Sequence, residues 1–478
     1  MKVLLIGDNP AITGGVCNYT RPIFNQLSKD LNIQYLYSSS NQKPDYDFTF
    51  KTKICVDKDF NDKGNVFKIV NSANLTHNYH NLQLDIESKK NDREFENFIK
   101  REKPDIIHIH EIIGFSSKII SIAKKYRIKV IHTVHEYWYL CSHRVMVDFN
   151  KRICEGPTDF DKCAYCVNNV KKGIKNHSYQ KFIYRMKNFS PFLLDILVQI
   201  KNLFLKKDKS IKKMNLNFDN IDYTKHKDST MKEVLNRRFD LNIKALNMSD
   251  KIIGVSSSVK ETLLSFGVLE EKIIVQPIGS TIANSKIVHT KKVKKEEIVF
   301  GFIGGVGYYK GVHQLVEAFL LMPKSYQQKS KIKIFGGGNS NYIDTIKDSI
   351  NKKSDCKNKI IFYGRYKHED IPKITNRVDI SVLPSLCADT APQTIFESFS
   401  ASLPIIAPDV GGFPDFIENN INGLIYKKAS SEDLSKKMMY LIDNPNLCNE
   451  FSKNIPQMKT IQQNGKELIS LYKSIYNS

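Results

Sequence analysis

Two carboxylates, Asp389 and Glu397, stand eight positions apart in the stretch CADTAPQTIFESFSA, Cys387–Ala401. Carboxylates accept hydrogen bonds from hydroxyls. Pro392, between them, suits the first turn of a helix, where its missing N–H costs nothing. A helix from about Gln393 to Ser402 would bury Ile395, Phe399 and Leu403 as one stripe and turn Glu397 away from it. Backbone N–H groups near Thr394 and Ile395 would then favour an anion. A ligand that combines phosphate with many hydroxyls is a sugar nucleotide. The alternative is two acids on a solvated surface.

Other stretches suit the same ligand. GGVGYYKGVHQLVEAF, Gly304–Phe319, is a glycine-rich strand-to-helix turn that carries Lys310, an amine able to neutralise a diphosphate. It lacks the Gly-Lys-Ser/Thr of a Walker loop. Thr13-Gly14-Gly15 offers a similar nest ahead of the first helix, and PDVGGFPDF, Pro408–Phe416, offers another Gly-Gly loop. His135 ends the run KVIHTVH, whereas His108 and His110 alternate with isoleucines, and at least one of them reads as a packed sheet residue. Cys141, Cys154, Cys163 and Cys166 form a second constellation. Four thiolates can close a structural zinc site; the spacing also suits buried free thiols or a redox pair.

These residues need elements to hold them. KVLLIG, PDIIHIH, RIKVIHTVH, DKIIGVS and KIIVQPIG are runs of strand length with helical stretches between them, such as Ser116–Tyr126. After a polar, lysine-rich linker, Thr281–Glu297, a second alternating set begins with EIVFGFIG, KIKIFGGG, KIIFYG, DISVLP and PIIAP. Such alternation predicts parallel sheets covered on both faces. The expectation is an α/β chain of two Rossmann-like doubly wound domains facing a central cleft, with the ligand at the carboxyl ends of the strands. Residues 1–290 would form the first domain and 291–455 the second, with a helix over 456–478 packing back on the first. A basic insert at about 167–247 breaks the alternation. Within it, PFLLDILVQIKNLFLKK, Pro191–Lys207, is apolar around much of its circumference and suits either an interfacial helix or one packed on the domain.

The chain has 478 residues and 41% hydrophobic residues, enough for large packed cores. No run of about 18 uncharged apolar residues occurs, which argues against a membrane-spanning helix. The apolar run in MKVLLIGDNP is too short for a signal-peptide core. Nine cysteines, an odd number, point to a reducing compartment. The net charge of +22 suggests an anionic partner, and residues 171–245, with 18 Lys+Arg against 7 Asp+Glu, hold half of it. A lysine-rich solvated surface is the plainer explanation.

The motifs PDIIHIH, HTVHEYW, SDKIIGVSSSVKETL, FIGGVGYYKGVHQLVEAF, FYGR and LPIIAPDVGGFPDFI occur in one order. Together they resemble the family 4 retaining glycosyltransferases of the GT-B fold, from Met1 to about Phe451 with the insert excepted. The resemblance implies transfer, with retention of configuration, from a UDP- or GDP-linked sugar to a sugar or lipid-linked acceptor in polysaccharide or glycolipid synthesis. No metal or nucleic acid would be needed.

Asp389 and Glu397 match the family's pair of acids with seven residues between, Asp replacing the first Glu. The resemblance implies that Asp389 contacts donor-sugar hydroxyls, Glu397 the ribose, Lys310 the diphosphate and His135 the sugar's C6 hydroxyl. It sets Gly364, Arg365 and Tyr366 beside the nucleobase and Gly14, Gly15, Gln393, Thr394 and Ile395 around the donor. Gly305 stands where an arginine is common, and Ile278-Gly279 replaces the usual Asn-Gly. Two other readings stay open: a GT-B-fold epimerase or phosphorylase, and a basic nucleic-acid-binding or membrane-binding protein on an inactive fold. A cytoplasmic enzyme, peripheral at an anionic inner leaflet, is expected.

Overall fold

The computed structural model describes residues 1–11, 15–38, 46–60, 65–74, 79, 81–173, 182–183, 185–186, 189–204, 222–284, 296–352 and 358–478. Fourteen strands among them form two sheets. The first sheet holds β1 (Lys2–Gly7), β2 (Asn32–Ser38), β3 (Lys53–Val56), β4 (Val66–Val70), β5 (Ile106–Ile109), β6 (Lys129–Val134), β7 (Lys251–Gly254) and β8 (Ile273–Val275). Its order is β3-β4-β2-β1-β5-β6-β7-β8, and only edge strand β3 runs antiparallel to its neighbour. The second sheet holds β9 (Ile298–Ile303), β10 (Ser330–Phe335), β11 (Ile360–Gly364), β12 (Ile380–Val382), β13 (Ile405–Pro408) and β14 (Gly423–Tyr426). Its order, β11-β10-β9-β12-β13-β14, is that of a doubly wound parallel sheet.

The strand compositions explain the layering. β5 (IIHI), β9 (IVFGFI) and β13 (IIAP) are buried at every position, as strands covered on both faces must be. In each sheet the strand order reverses beside the first strand of the domain: between β1 and β5, and between β9 and β12. Those crevices are where open α/β sheets bind ligands.

Six helices matter for the site and its surroundings: α1 (Gly15–Leu27), α2 (Phe160–Gly173), α3 (Pro191–Phe204), α4 (Ser229–Asn247), α5 (Gln393–Ser400) and α6 (Ile461–Asn477). α6 starts in a capping box: the Thr460 hydroxyl accepts from the Gln463 N–H, and the Gln463 side chain accepts from the Thr460 N–H. It packs against α1. Tyr472 hydroxyl lies 2.6 Å from His108 Nδ1. Asn464 Oδ1 accepts from Tyr19 (2.7 Å) and from the Gly279 N–H (3.1 Å). The basic insert is mostly helical where it is described. α2 packs on α4, and α4 is pinned by Arg238, 1% exposed, whose guanidinium donates to Asp85 and to the Trp138 carbonyl, both at 2.7 Å. The linker begins with a short 3-10 turn, Ile282–Asn284, and residues 285–295 lie outside the described residues.

Candidate active-site cleft

The carboxyl ends of the two sheets share a cleft of about 1180 Å³. Gly15, Asn18 and Arg21 of α1 and His135 after β6 line it from the first domain. Gly305, Lys310, Tyr366, Asp389, Gln393, Thr394 and Glu397 line it from the second. Most of the residues expected from the sequence therefore meet in one place.

Three are not brought to that wall, and one cannot be described. Ile395 is fully buried in the core, and its N–H donates to the Pro392 carbonyl at 3.0 Å, so it offers the cleft nothing. Only Gln393 and Thr394 of the first turn of α5 reach the lining. Gly364 ends β11, the outer strand of its sheet, Arg365 follows it, and neither is among the lining residues. Gly14 lies outside the described residues.

Lys310 and Asp389 form an ion pair within the cleft. Crowding by protein disfavours the ammonium, but Asp389 outweighs it and raises the Lys310 pKa. Two glycines shape this corner. Gly311, at φ +67°, turns the chain after Lys310, where a Cβ would lie 1.7 Å from the Pro384 carbonyl. Gly411, at φ +58°, presses on the Asp389 carbonyl, 2.4 Å from where its Cβ would stand. The Gly412 N–H then donates to that same carbonyl at 2.7 Å. The Gly-Gly loop thus braces Asp389 from behind.

Glu397 sits where burial pushes its carboxyl up to about 7. Across the cleft, burial holds the His135 pKa down to about 3, so its imidazole is neutral. His135 Nε2 lies 3.0 Å from His110 Nδ1. His108 and His110 are both buried, and burial depresses both their pKa values. The Thr390 hydroxyl, next to Asp389, donates 2.6 Å to the His135 carbonyl and ties the two walls together.

Sequence reasoning missed a set of residues behind the first wall. Asp8, Glu111 and Glu136 follow β1, β5 and β6, three adjacent strands, and Arg144 lies against Glu136 at 3.3 Å. Burial raises all three carboxyl pKa values; for Glu111 the neighbouring Glu136 and Asp8 add to this. Their common position just past neighbouring strand ends was the available signal.

The four cysteines of the second constellation surround one cavity of about 40 Å³. Burial pushes the Cys163 thiol up to about 12 and raises Cys141 and Cys166 as well, which favours neutral thiols. Cys166 Sγ accepts the Phe149 N–H at 3.1 Å. No group of three or more His, Cys, Asp or Glu among the described residues is disposed to hold a metal ion. None of the four cysteines is in a disulfide.

Residues 284–458 match the family model described as "Glycosyl transferases group 1", and residues 73–157 match "Glycosyltransferase Family 4". An uncharacterized glycosyltransferase of Methanocaldococcus jannaschii is 24% identical over 52% of this chain and 64% of its own length. Alpha-monoglucosyldiacylglycerol synthase of Acholeplasma laidlawii is 27% identical over 43% of this chain and 50% of its own length. The chain thus spans between half and 64% of the length of these curated relatives. Two solved structures share the fold over nearly the whole chain. Anabaena HepE in complex with UDP has a TM-score of 0.58 at 13% identity and covers 99% of this chain and 100% of its own. Sucrose-phosphate synthase of Thermosynechococcus elongatus has a TM-score of 0.59 at 14% identity, covering 100% and 99%.

Proposed function

Because the chain belongs to the GT-B glycosyltransferases of family 4, we propose that it moves a sugar from a UDP- or GDP-linked donor to a hydroxyl of a sugar or lipid-linked acceptor, with retention of configuration. The observation that carries this reading is the shared lining of one cleft by Lys310, Asp389, Gln393, Thr394 and Glu397, with Gly15 and His135 opposite. A cation and a helix N-terminus suit a diphosphate; two carboxylates suit sugar and ribose hydroxyls.

In this reading the donor dismantles the Lys310–Asp389 pair. Its diphosphate takes the ammonium, and its sugar hydroxyls take the carboxylate. Charge builds on the leaving diphosphate, where Lys310 and the first turn of α5 stabilise it without a metal ion. Glu397 holds the ribose in its ionised form. His135, neutral at working pH, hydrogen-bonds the donor sugar instead of carrying charge, and Tyr366 sits beside the base. The leaving phosphate accepts the proton of the attacking hydroxyl. The names of two relatives, a glycolipid synthase and a capsular polysaccharide glycosyltransferase, support a role in glycolipid or cell-surface polysaccharide synthesis. The enzyme would work in the cytoplasm, against the inner leaflet where lipid-linked acceptors reside.

A thermal-shift screen against UDP- and GDP-sugars tests the donor, since a ligand at 100 times its Kd adds about 2.7 kcal/mol. Product anomeric configuration tests retention. Full transferase activity in both Lys310→Ala and Glu397→Ala would remove the site assignment. Donor turnover without any acceptor would favour an epimerase or phosphorylase.

A further inference from the structure

A cluster of exposed apolar side chains lies away from the cleft. On α3, Leu194 is buried while Phe192, Leu193 and Leu197 are exposed, Phe192 at 75%. At 100° per residue these exposed positions fall within about 140° of the helix circumference. Just ahead of α3, Phe189 is 67% exposed, and its ring meets that of Phe48 at 4.7 Å. Phe48 in turn sits 6.3 Å from Phe50, which is 58% exposed. The loop before β3 and the insert therefore make one continuous patch. Exposed apolar surface of this kind marks a docking site.

Charge selects the occupant. Residues 171–207 carry Lys171, Lys172, Lys175, Lys181, Arg185, Lys187, Lys201, Lys206 and Lys207 against a single acid, Asp195. One of these cations is seated at the patch: the Arg185 guanidinium lies 4.1 Å over the Phe50 ring and donates to the Asp47 carbonyl. A second copy of this chain would bring the same positive segment against itself. An apolar helix face in so basic a segment is complementary to an anionic bilayer, whose headgroups attract the positive charge while the rings enter the acyl boundary. We propose that Phe48, Phe50, Phe189, Phe192, Leu193 and Leu197, with Arg185, form a surface that inserts into the interface of an anionic lipid bilayer, to which the net positive charge of residues 171–207 draws the chain. This deepens the membrane placement in the proposed function but makes no use of the donor cleft.

The test is cosedimentation of the full chain with vesicles of phosphatidylcholine alone or with phosphatidylglycerol added, and no donor present. Binding should require the anionic lipid. It should fall steeply as ionic strength rises from about 0.1 to about 1 M, which shortens the Debye length from about 10 to about 3 Å. Replacing Phe192 and Leu193 by Ser should lower partition at least tenfold, and each Lys→Gln change in the segment about fivefold. Donor-induced thermal shift should be unchanged in these variants, whereas Lys310→Ala should shrink that shift and keep vesicle binding. Three results would overturn the proposal. One is equal binding to neutral and anionic vesicles, and another is full binding by the Phe192/Leu193 variant. The third is a dimer in sedimentation velocity that the variant dissociates while vesicle affinity is absent.

Discussion

Glu397 permits a quantitative forecast. Burial raises its pKa from 4.5 to about 7, a difference equal to about 3 kcal/mol between the two protonation states. Above pH 4.5 the unfolded chain gives up this proton before the folded chain does, so this carboxyl lowers stability as pH rises to 7 and has no further effect beyond it. Glu397→Gln keeps the shape and removes the ionisation. The variant should therefore be about 2–3 kcal/mol harder to unfold than the parent at pH 8 and similar to it at pH 4.5. Donor binding should run the other way. If only the carboxylate accepts the ribose hydroxyls, the apparent Kd is multiplied by about 11 at pH 6 and by about 1.1 at pH 8, a tenfold span. In the Gln variant that span should vanish, and affinity at pH 8 should fall roughly 10- to 100-fold with the loss of a charge-assisted hydrogen bond. Urea unfolding at the two pH values and calorimetric titration with the donor from pH 6 to 8 measure both. A donor affinity that is flat with pH, or a Gln variant no harder to unfold at pH 8, would refute the picture of a buried acid binding the ribose.

Lys310→Ala should lower kcat about 100- to 1,000-fold, the usual effect of removing one group that stabilises transition-state charge, with native unfolding behaviour; steady-state kinetics and circular dichroism check this. Gly411→Ala forces a Cβ toward the Asp389 carbonyl, so activity should fall by tenfold or more through a displaced Asp389, measured as a rise in KM for the donor. Arg238→Leu takes a buried guanidinium from Asp85 and from the Trp138 carbonyl and should cost about 3–5 kcal/mol in chemical unfolding. Arg144→Leu takes the counter-charge from one buried and two half-buried carboxyls whose pKa values are already raised. It should therefore destabilise more at pH 8 than at pH 5, as thermal unfolding at the two values will show.

What could be read from the sequence was what local pattern encodes. The apolar runs that became β1 and β9 announced themselves because a strand covered on both faces has few polar interruptions. α5 was legible from Ile395 and Phe399, one turn apart, behind Pro392. β2 and β4 were not singled out: NIQYLYS and VFKIV carry polar residues that find partners only once the sheet is assembled, such as Gln34, which donates to Glu102 at 2.7 Å. At the site, residue types were readable and pairings were not. Nothing in one dimension joins Thr390 to the His135 carbonyl, 255 positions away, or sets Asp389 against Lys310. Sequence alone leaves the Ile395 N–H open to a donor, yet the tight first turn of α5 uses it. The carboxyls Asp8, Glu111 and Glu136 escaped because their convergence depends on strand order, which the chain does not spell out.

α6 has a consequence for how this molecule comes off the ribosome. The last strand of the first sheet ends at Val275, and α6 begins about 185 residues later. Yet Tyr472 supplies one of the two partners of His108 in β5, and Asn464 holds both Tyr19 and Gly279. At about 5–20 residues per second, the amino-terminal unit waits roughly 10–40 s for these groups. During that interval the surfaces meant for α6 stand open, which makes the nascent chain a natural client for a chaperone. The half that emerges first is thus the half whose assembly finishes last.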